Sequence, residues 1–239
     1  MGKCSFGTGG SLMVNIGDKP MRSASRLNTS IAWGLDHKVS YVFEGTIVCM
    51  GDTIRWLKDQ MELIDSSAQS GELAEMVDST QGVYLVPAFT GLGAPYWQSN
   101  ARAMICGMNR FTDKRHIVRA GVESITYQMR DIIEPMMADA DFTLGELRVD
   151  GGPTNNKFLM QFTADILNTR IVRNKVEELS ALGSAFAGGL ATGFYKSYDE
   201  IAALRQTSAE YVRAMPAQQA EELYKGWKDS VDMLISGIK

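Results

Sequence analysis

Apolar and polar positions alternate along the opening of the chain. Cys4 and Phe6 precede Gly7-Thr8-Gly9-Gly10, and Leu12, Val14 and Ile16 then interleave with Ser11, Met13 and Asn15. A period of two marks strands with one buried face, so this stretch predicts a hairpin with a glycine-rich tip. Strands are also predicted over Thr29–Trp33 and Val39–Phe43, completing a meander. At Ile47, Met50, Ile54, Leu57 and Met61 the spacing becomes helical. A polar stretch around Ser66–Gly71, a short helix near Glu72–Val77 and a buried strand over Val83–Phe89 follow. From about Thr112, Val118, Val122, Ile125, Met129, Ile132 and Met136 step by threes and fours, the signature of one long amphipathic helix. Leu147–Val149 reads as a strand broken by Asp150-Gly151-Gly152-Pro153, and Phe158, Leu159, Phe162 and Ile166 as the next helix. A strand at Arg170–Val172, a small-residue helix at Ala181–Leu190 and a terminal helix carrying Leu223, Trp227, Val231 and Leu234 complete the order. Strands alternating with helices in the second half imply an α/β fold with a mostly parallel sheet flanked by helices.

Composition narrows the function classes. With 239 residues, 45% of them hydrophobic, the chain can bury a sizeable core. A net charge of −4 with basic residues scattered among acids supplies no field for a nucleic-acid backbone. Cys4, Cys49 and Cys106 form no CxxC pair and leave an odd thiol, which suits a reducing cytoplasm better than a disulfide framework. The apolar run Ala181–Ala191 falls short of the roughly 20 residues of a membrane span. No signal-peptide or myristoylation pattern opens the sequence, and its abrupt start in a strand suits a domain of a longer protein.

Three features could carry chemistry, each with a plainer alternative. In Gly7-Thr8-Gly9-Gly10 the missing Cβ atoms let backbone amides approach a phosphate while Thr8 offers a hydroxyl, yet the same residues build ordinary hairpin tips. Asp150-Gly151-Gly152 lies between a strand and a helix starting near Asn155 or Asn156, where unpaired amides and the positive end of the helix dipole favour anions. An Asp-Gly turn with Pro153 near a helix start explains it equally well. Gly51 interrupts a helical pattern at a cost of about 1 kcal/mol, which close packing or close ligand approach would justify. Ala181, Gly183, Ala185, Ala187 and Gly188 read as a face for tight packing. His37 and His116 are the only histidines, and no acid–base constellation surrounds them.

Taken together, Phe6-Gly7-Thr8-Gly9, Gly91-Leu92-Gly93-Ala94-Pro95-Tyr96-Trp97 and Val149-Asp150-Gly151-Gly152, followed by Asn156 and Phe158-Leu159-Met160-Gln161-Phe162, resemble the C-terminal half of the FGGY carbohydrate kinases, in particular their glycerol kinase branch. The segment from Ala103 through Gly107 to His116, Ala120 and Glu123 is similar to the family's second signature, with Gly121 at a position usually β-branched or otherwise small. The resemblance runs nearly the whole length, so residues 1–239 are expected to form the family's C-terminal domain, without the N-terminal one. It implies an actin-like, ribonuclease-H-like fold with a mixed sheet flanked by helices, and MgATP bound in a cleft between two halves. Thr8 would meet the β- and γ-phosphates, Gly51 and Arg55 would line the nucleotide pocket, and Gly152 with Asn156 would hold the α-phosphate and adenosine. Arg55 stands where glycerol kinases commonly have glutamine, and Ser11 where they place an aromatic residue against the substrate. The family's catalytic aspartate lies upstream of Gly7, so no catalytic residue and no metal ligand is assigned in this chain. The implied partners are ATP or ADP and a small polyol or sugar, glycerol or another such as a ketopentose. A non-catalytic, nucleotide-dependent module is the alternative from another class, and a homo-oligomer is compatible with either.

Overall fold

The computed structural model describes residues 2–35, 37–177, 179–204 and 206–238. Strands β1 (Gly2–Phe6), β2 (Gly10–Gly17), β3 (Asn28–Leu35), β4 (Lys38–Ile47), β7 (Glu146–Asp150), β8 (Arg170–Asn174) and β9 (Thr207–Tyr211) form one sheet in the order β3-β4-β2-β1-β7-β8-β9. Strands β5 (Tyr84–Val86) and β6 (Met104–Cys106) pair separately. The helices are α1 (Gly51–Asp59), α2 (Gln69–Glu75), α3 (Lys114–Ala140), α4 (Lys157–Leu167), α5 (Leu179–Ala191), α6 (Tyr198–Ala203) and α7 (Ala217–Ser236). The mixed sheet flanked by helices is as expected, but a mostly parallel one is not. Only β1–β7 and β7–β8 run parallel, because the meander β1-β2-β4-β3 is antiparallel throughout and β9 returns antiparallel beside β8 to form the far edge.

The alternation in β1 and β2 buries Cys4, Phe6, Leu12 and Val14 on one face of the sheet. On that face lies α3, whose stripe Val118, Val122, Ile125, Met129, Ile132 and Met136 is buried along its length. Asp113 caps α3: its Oδ1 accepts from the amide of Arg115 at 2.9 Å, and its own amide donates to His116 Nδ1 at 3.2 Å. The buried histidine is thereby committed to a helix cap.

A second apolar cluster joins α3, α4 and α7 through Tyr127, Phe162, Ile166, Tyr224, Trp227 and Val231. Tyr127 stacks on Trp227 at 5.4 Å and meets Phe162 edge-on at 5.6 Å. Inside this seam the Asp131 carboxylate accepts from Tyr224 Oη at 2.7 Å and Trp227 Nε1 at 2.8 Å, with Lys228 Nζ at 3.5 Å. Burial nevertheless pushes the Asp131 carboxyl above the usual carboxylate range against the pull of Lys228 and the two donors.

Elsewhere the structure departs from the periodicity. The strand expected over Val83–Phe89 stops at Val86, since Pro87 has no amide to donate and Ala88 turns back to the carbonyl of Val86 at 2.9 Å. The small-residue helix forms as α5, but none of its described residues is buried, and a Cβ at Gly183 or Gly188 would meet nothing within 4 Å. Apart from Gly189, whose Cβ would come 2.5 Å from the Tyr195 ring, its small residues therefore do not serve close packing among the described residues.

Candidate functional site

The two glycine turns lie side by side because β1 and β7 are parallel neighbours and both end at the same edge, with Ser5 opposite Asp150. The first turn is closed by the amide of Gly7 donating to Gly9 O at 2.8 Å. Its carbonyls then receive the start of α1: Met50 and Asp52 donate to Thr8 O at 3.0 Å each, and Gly51 donates to Gly7 O at 3.0 Å. No side chain caps α1, so the turn does that work, and these first-turn amides are spent within the chain rather than left for an anion. The approach also explains Gly51, whose Cβ would sit 2.7 Å from Gly7 O.

The second turn docks on the first. Gly151 has φ +96°, and a Cβ there would fall 1.9 Å from Phe6 O, so only glycine fits. Gly152 begins a 3-10 turn, Gly152–Asn155, and faces open space. Asn156 caps α4, its Oδ1 accepting from the amide of Leu159 at 3.0 Å, while its Nδ2 donates to Ser70 Oγ on α2 at 3.3 Å. From the far side, Arg173 holds the turn through Thr154 Oγ1 at 3.2 Å and through Asn155 Oδ1.

Between α1, α2, the 3-10 turn and the start of α4 lies a cavity of about 740 Å³, large enough for a nucleotide. Gly51, Gly152 and Asn156 line it, as do Ile54, Ser70, Gly71, Glu72, Glu75 and Phe158. Of the residues singled out in the sequence, the structure thus gathers three on one wall. Thr8 sits exposed at the tip of the first turn and is not in the lining. Arg55 is exposed one turn along α1 from Gly51, also outside the lining, and forms no ion pair among the described residues. The α2 wall was not foreseen. Its one sequence signal was Gly71, where a Cβ would come within 2.7 Å of Asn156 Oδ1.

At the base of the turns Asp150 is buried, with Oδ2 at 3.2 Å from Lys3 Nζ and Oδ1 lacking a partner among the described residues. The two thiols nearby are chemically quiet: burial raises Cys49 to about 11 and Cys4 further still, so both stay protonated. Among the described residues no three His, Cys, Asp or Glu side chains converge to hold a metal. Ser11 faces away from the main core, its Oγ donating to Glu44 Oε1 at 2.8 Å.

Comparison with known proteins identifies the family and the fold. Residues 2–192 match the model of the FGGY family of carbohydrate kinases, C-terminal domain. Glycerol kinases of Staphylococcus haemolyticus and Oceanobacillus iheyensis are each 48% identical to the chain, over 230 and 232 residues, covering 96% and 97% of it and 46% of their own lengths. The crystal structure of Plasmodium falciparum glycerol kinase with ADP superposes with a TM-score of 0.92 at 37% identity, covering 98% of this chain and 47% of that one. A ligand-bound xylulose kinase from Lactobacillus acidophilus shares the fold at 20% identity, with a TM-score of 0.85. The chain spans about half the length of the relatives it matches.

Proposed function

Because the chain belongs to the FGGY family of carbohydrate kinases, we propose that its 239 residues form one domain, the nucleotide-binding half of an ATP-dependent kinase that phosphorylates a terminal hydroxyl of a polyol or sugar. The observation that carries this reading is the cavity where Gly51, Gly152 and Asn156 meet, with room for a nucleotide and no Cβ at Gly152 to fill it. The glycerol kinases at 48% identity favour glycerol or a close relative of it as the substrate, and the three free cysteines favour a reducing cytoplasm.

The residues fit an adenine nucleotide. Gly152 and Asn156 would border the α-phosphate and adenosine, Gly51 would let the ligand close on α1, and Thr8 at the exposed tip would reach toward the terminal phosphates, with Arg55 at the mouth. Mg²⁺ would arrive with the phosphates, neutralising their charge. Among the described residues, the buried carboxylate with an unpartnered oxygen is Asp150, at the base of the turns. What the chain supplies to phosphoryl transfer is position, by rigid glycine turns pinned to two parallel strands. The proton of the attacking hydroxyl must pass to a base within about 3 Å. His116 is engaged in a cap and Asp150 is buried against Lys3, so the base is taken to be the aspartate that the family resemblance places upstream of Gly7.

The test is coupled ADP release over glycerol, erythritol, xylulose and ribulose. The 239-residue chain should stay at background and the full-length protein should turn over one of these. Ser11 adds a graded expectation: losing the apolar contact of an aromatic side chain forfeits about 1–3 kcal/mol, so glycerol should be used roughly 5–150-fold less efficiently than by a kinase with an aromatic residue there. Turnover by the chain alone contradicts the missing base, and efficient glycerol turnover by the full-length protein contradicts the inference from Ser11.

A further inference from the structure

The cavity has a wall that cannot stand by itself. Helix α2 has only seven residues, too few to be stable without tertiary support, and it contributes Ser70, Gly71, Glu72 and Glu75 to the lining. Its support comes from α3. Arg119 Nη1 donates to Ala74 O at 3.2 Å and to Val77 O, two carbonyls at the C-terminal end of α2 that have no helical partner. The same guanidinium stands 4.9 Å from the ring centroid of Phe158, which lines the cavity from α4, and its Nε donates to Glu123 Oε1 at 2.7 Å. Glu123 is 2% exposed, and its other oxygen accepts from Tyr127 Oη at 3.1 Å, so the carboxylate is fixed from both sides.

One arginine therefore touches both walls, and a buried carboxylate fixes where it sits. We propose that the Arg119–Glu123 pair is a positioning device for the nucleotide, setting the separation of α2 and α4 across the cavity. It rests on the nucleotide reading of that cavity. Neither residue lines the cavity, so the pair acts through α2 and Phe158. The division of labour is specific: Arg119 reaches the walls, and Glu123 aims Arg119. Lysine cannot reproduce the fork that serves carbonyls, carboxylate and ring together.

The test separates position from stability. Replacing a buried ion pair by apolar residues of similar size is often neutral for folding, so the double variant Arg119→Met/Glu123→Leu should stay folded, melting below the wild type only by the cost of leaving the Tyr127 hydroxyl unpaired. In it, hydrogen exchange of the amides of residues 69–75 should quicken at least tenfold, with the β1 and β7 amides unchanged. ADP affinity, followed by ligand-observed NMR on the 239-residue chain, should fall at least tenfold. Arg119→Lys should lose nearly as much, whereas Glu123→Gln, which keeps the hydrogen-bonded shape, should stay within about threefold of the wild type. If the double variant keeps wild-type affinity or slow α2 exchange, the positioning role is wrong. If it unfolds, the same comparison is made with Arg119→Lys against Glu123→Gln, and equal affinities would overturn the proposal. A wild-type chain that binds no ADP would instead overturn the nucleotide reading, an outcome the α2 exchange data distinguish.

Discussion

Asp131→Ala should lower stability by about 3–5 kcal/mol, the cost of removing one partner from a buried charged network. The carboxylate is 3% exposed and holds Tyr224 and Trp227, both on α7. Its removal leaves the indole N–H and the phenol O–H in an apolar seam with nothing to bond, and it opens a gap beside the Tyr127–Trp227 stack. For a chain of this length the loss corresponds to a fall in Tm of roughly 6–20 °C. Asp131→Asn should cost less, because the amide oxygen still serves one donor. The pH dependence has a defined sign. The folded carboxyl is raised above its unfolded value, so the contribution of its protonated form is complete below the unfolded pKa and fades as pH rises through the folded one. The gap in Tm between wild type and Asp131→Asn should therefore narrow with rising pH over that window. A loss under 1 kcal/mol for Asp131→Ala, by denaturant or thermal melts, would show that α7 is held without Asp131, by its apolar contacts and by bonds such as those from Arg130 to Glu221.

Gly151→Ala should be nearly as damaging for a different reason. At φ +96° an L side chain is strained by about 1–3 kcal/mol wherever it points, and here the Cβ points into the carbonyl of Phe6. That obstacle is backbone within a strand, so the seam between β1 and β7 must open to make room. Because the seam joins the two glycine turns, stability and nucleotide binding should fall together, by at least about 2 kcal/mol and tenfold. The neighbouring Gly152 behaves oppositely: its Cβ would meet nothing, so a valine there changes the cavity and leaves the fold alone.

This contrast shows what the sequence made legible. Gly51, Gly151 and Gly152 stood out because glycine is costly in a helix and at a strand end unless a close approach requires it, and the structure supplies the approach as Gly7 O and Phe6 O. Packing and ligand access turn out not to be rivals at Gly51, which does one and borders the other. The meander, α3, α4 and α7 followed from strict periodicity. Strand β9 did not, because the alternation in Thr207-Ser208-Ala209-Glu210-Tyr211 is short and weakly apolar, with only Ala209 and Tyr211 half-buried at the sheet edge. Helix α2 starts three residues before the pattern predicts, because Ser66–Gly71 is polar on the chain but buries Ser70 and Gly71 against α3 and α4, a tertiary effect that composition conceals. In α5 the helical tendency was legible and the burial was not, since small apolar residues indicate what a helix could pack against without saying that this chain provides it.

Calorimetric titration of ADP into the 239-residue chain and its Gly152→Val variant reads out whether a nucleotide occupies the cavity beside Gly152. On the proposed half-cleft reading the wild-type chain should bind with micromolar or weaker affinity, and the variant should bind at least tenfold more weakly while melting within about 2 °C of the wild type. Sub-micromolar binding to the wild-type chain would contradict the half-site, and unchanged affinity in a folded variant would remove the Gly151-Gly152 turn from the nucleotide's path.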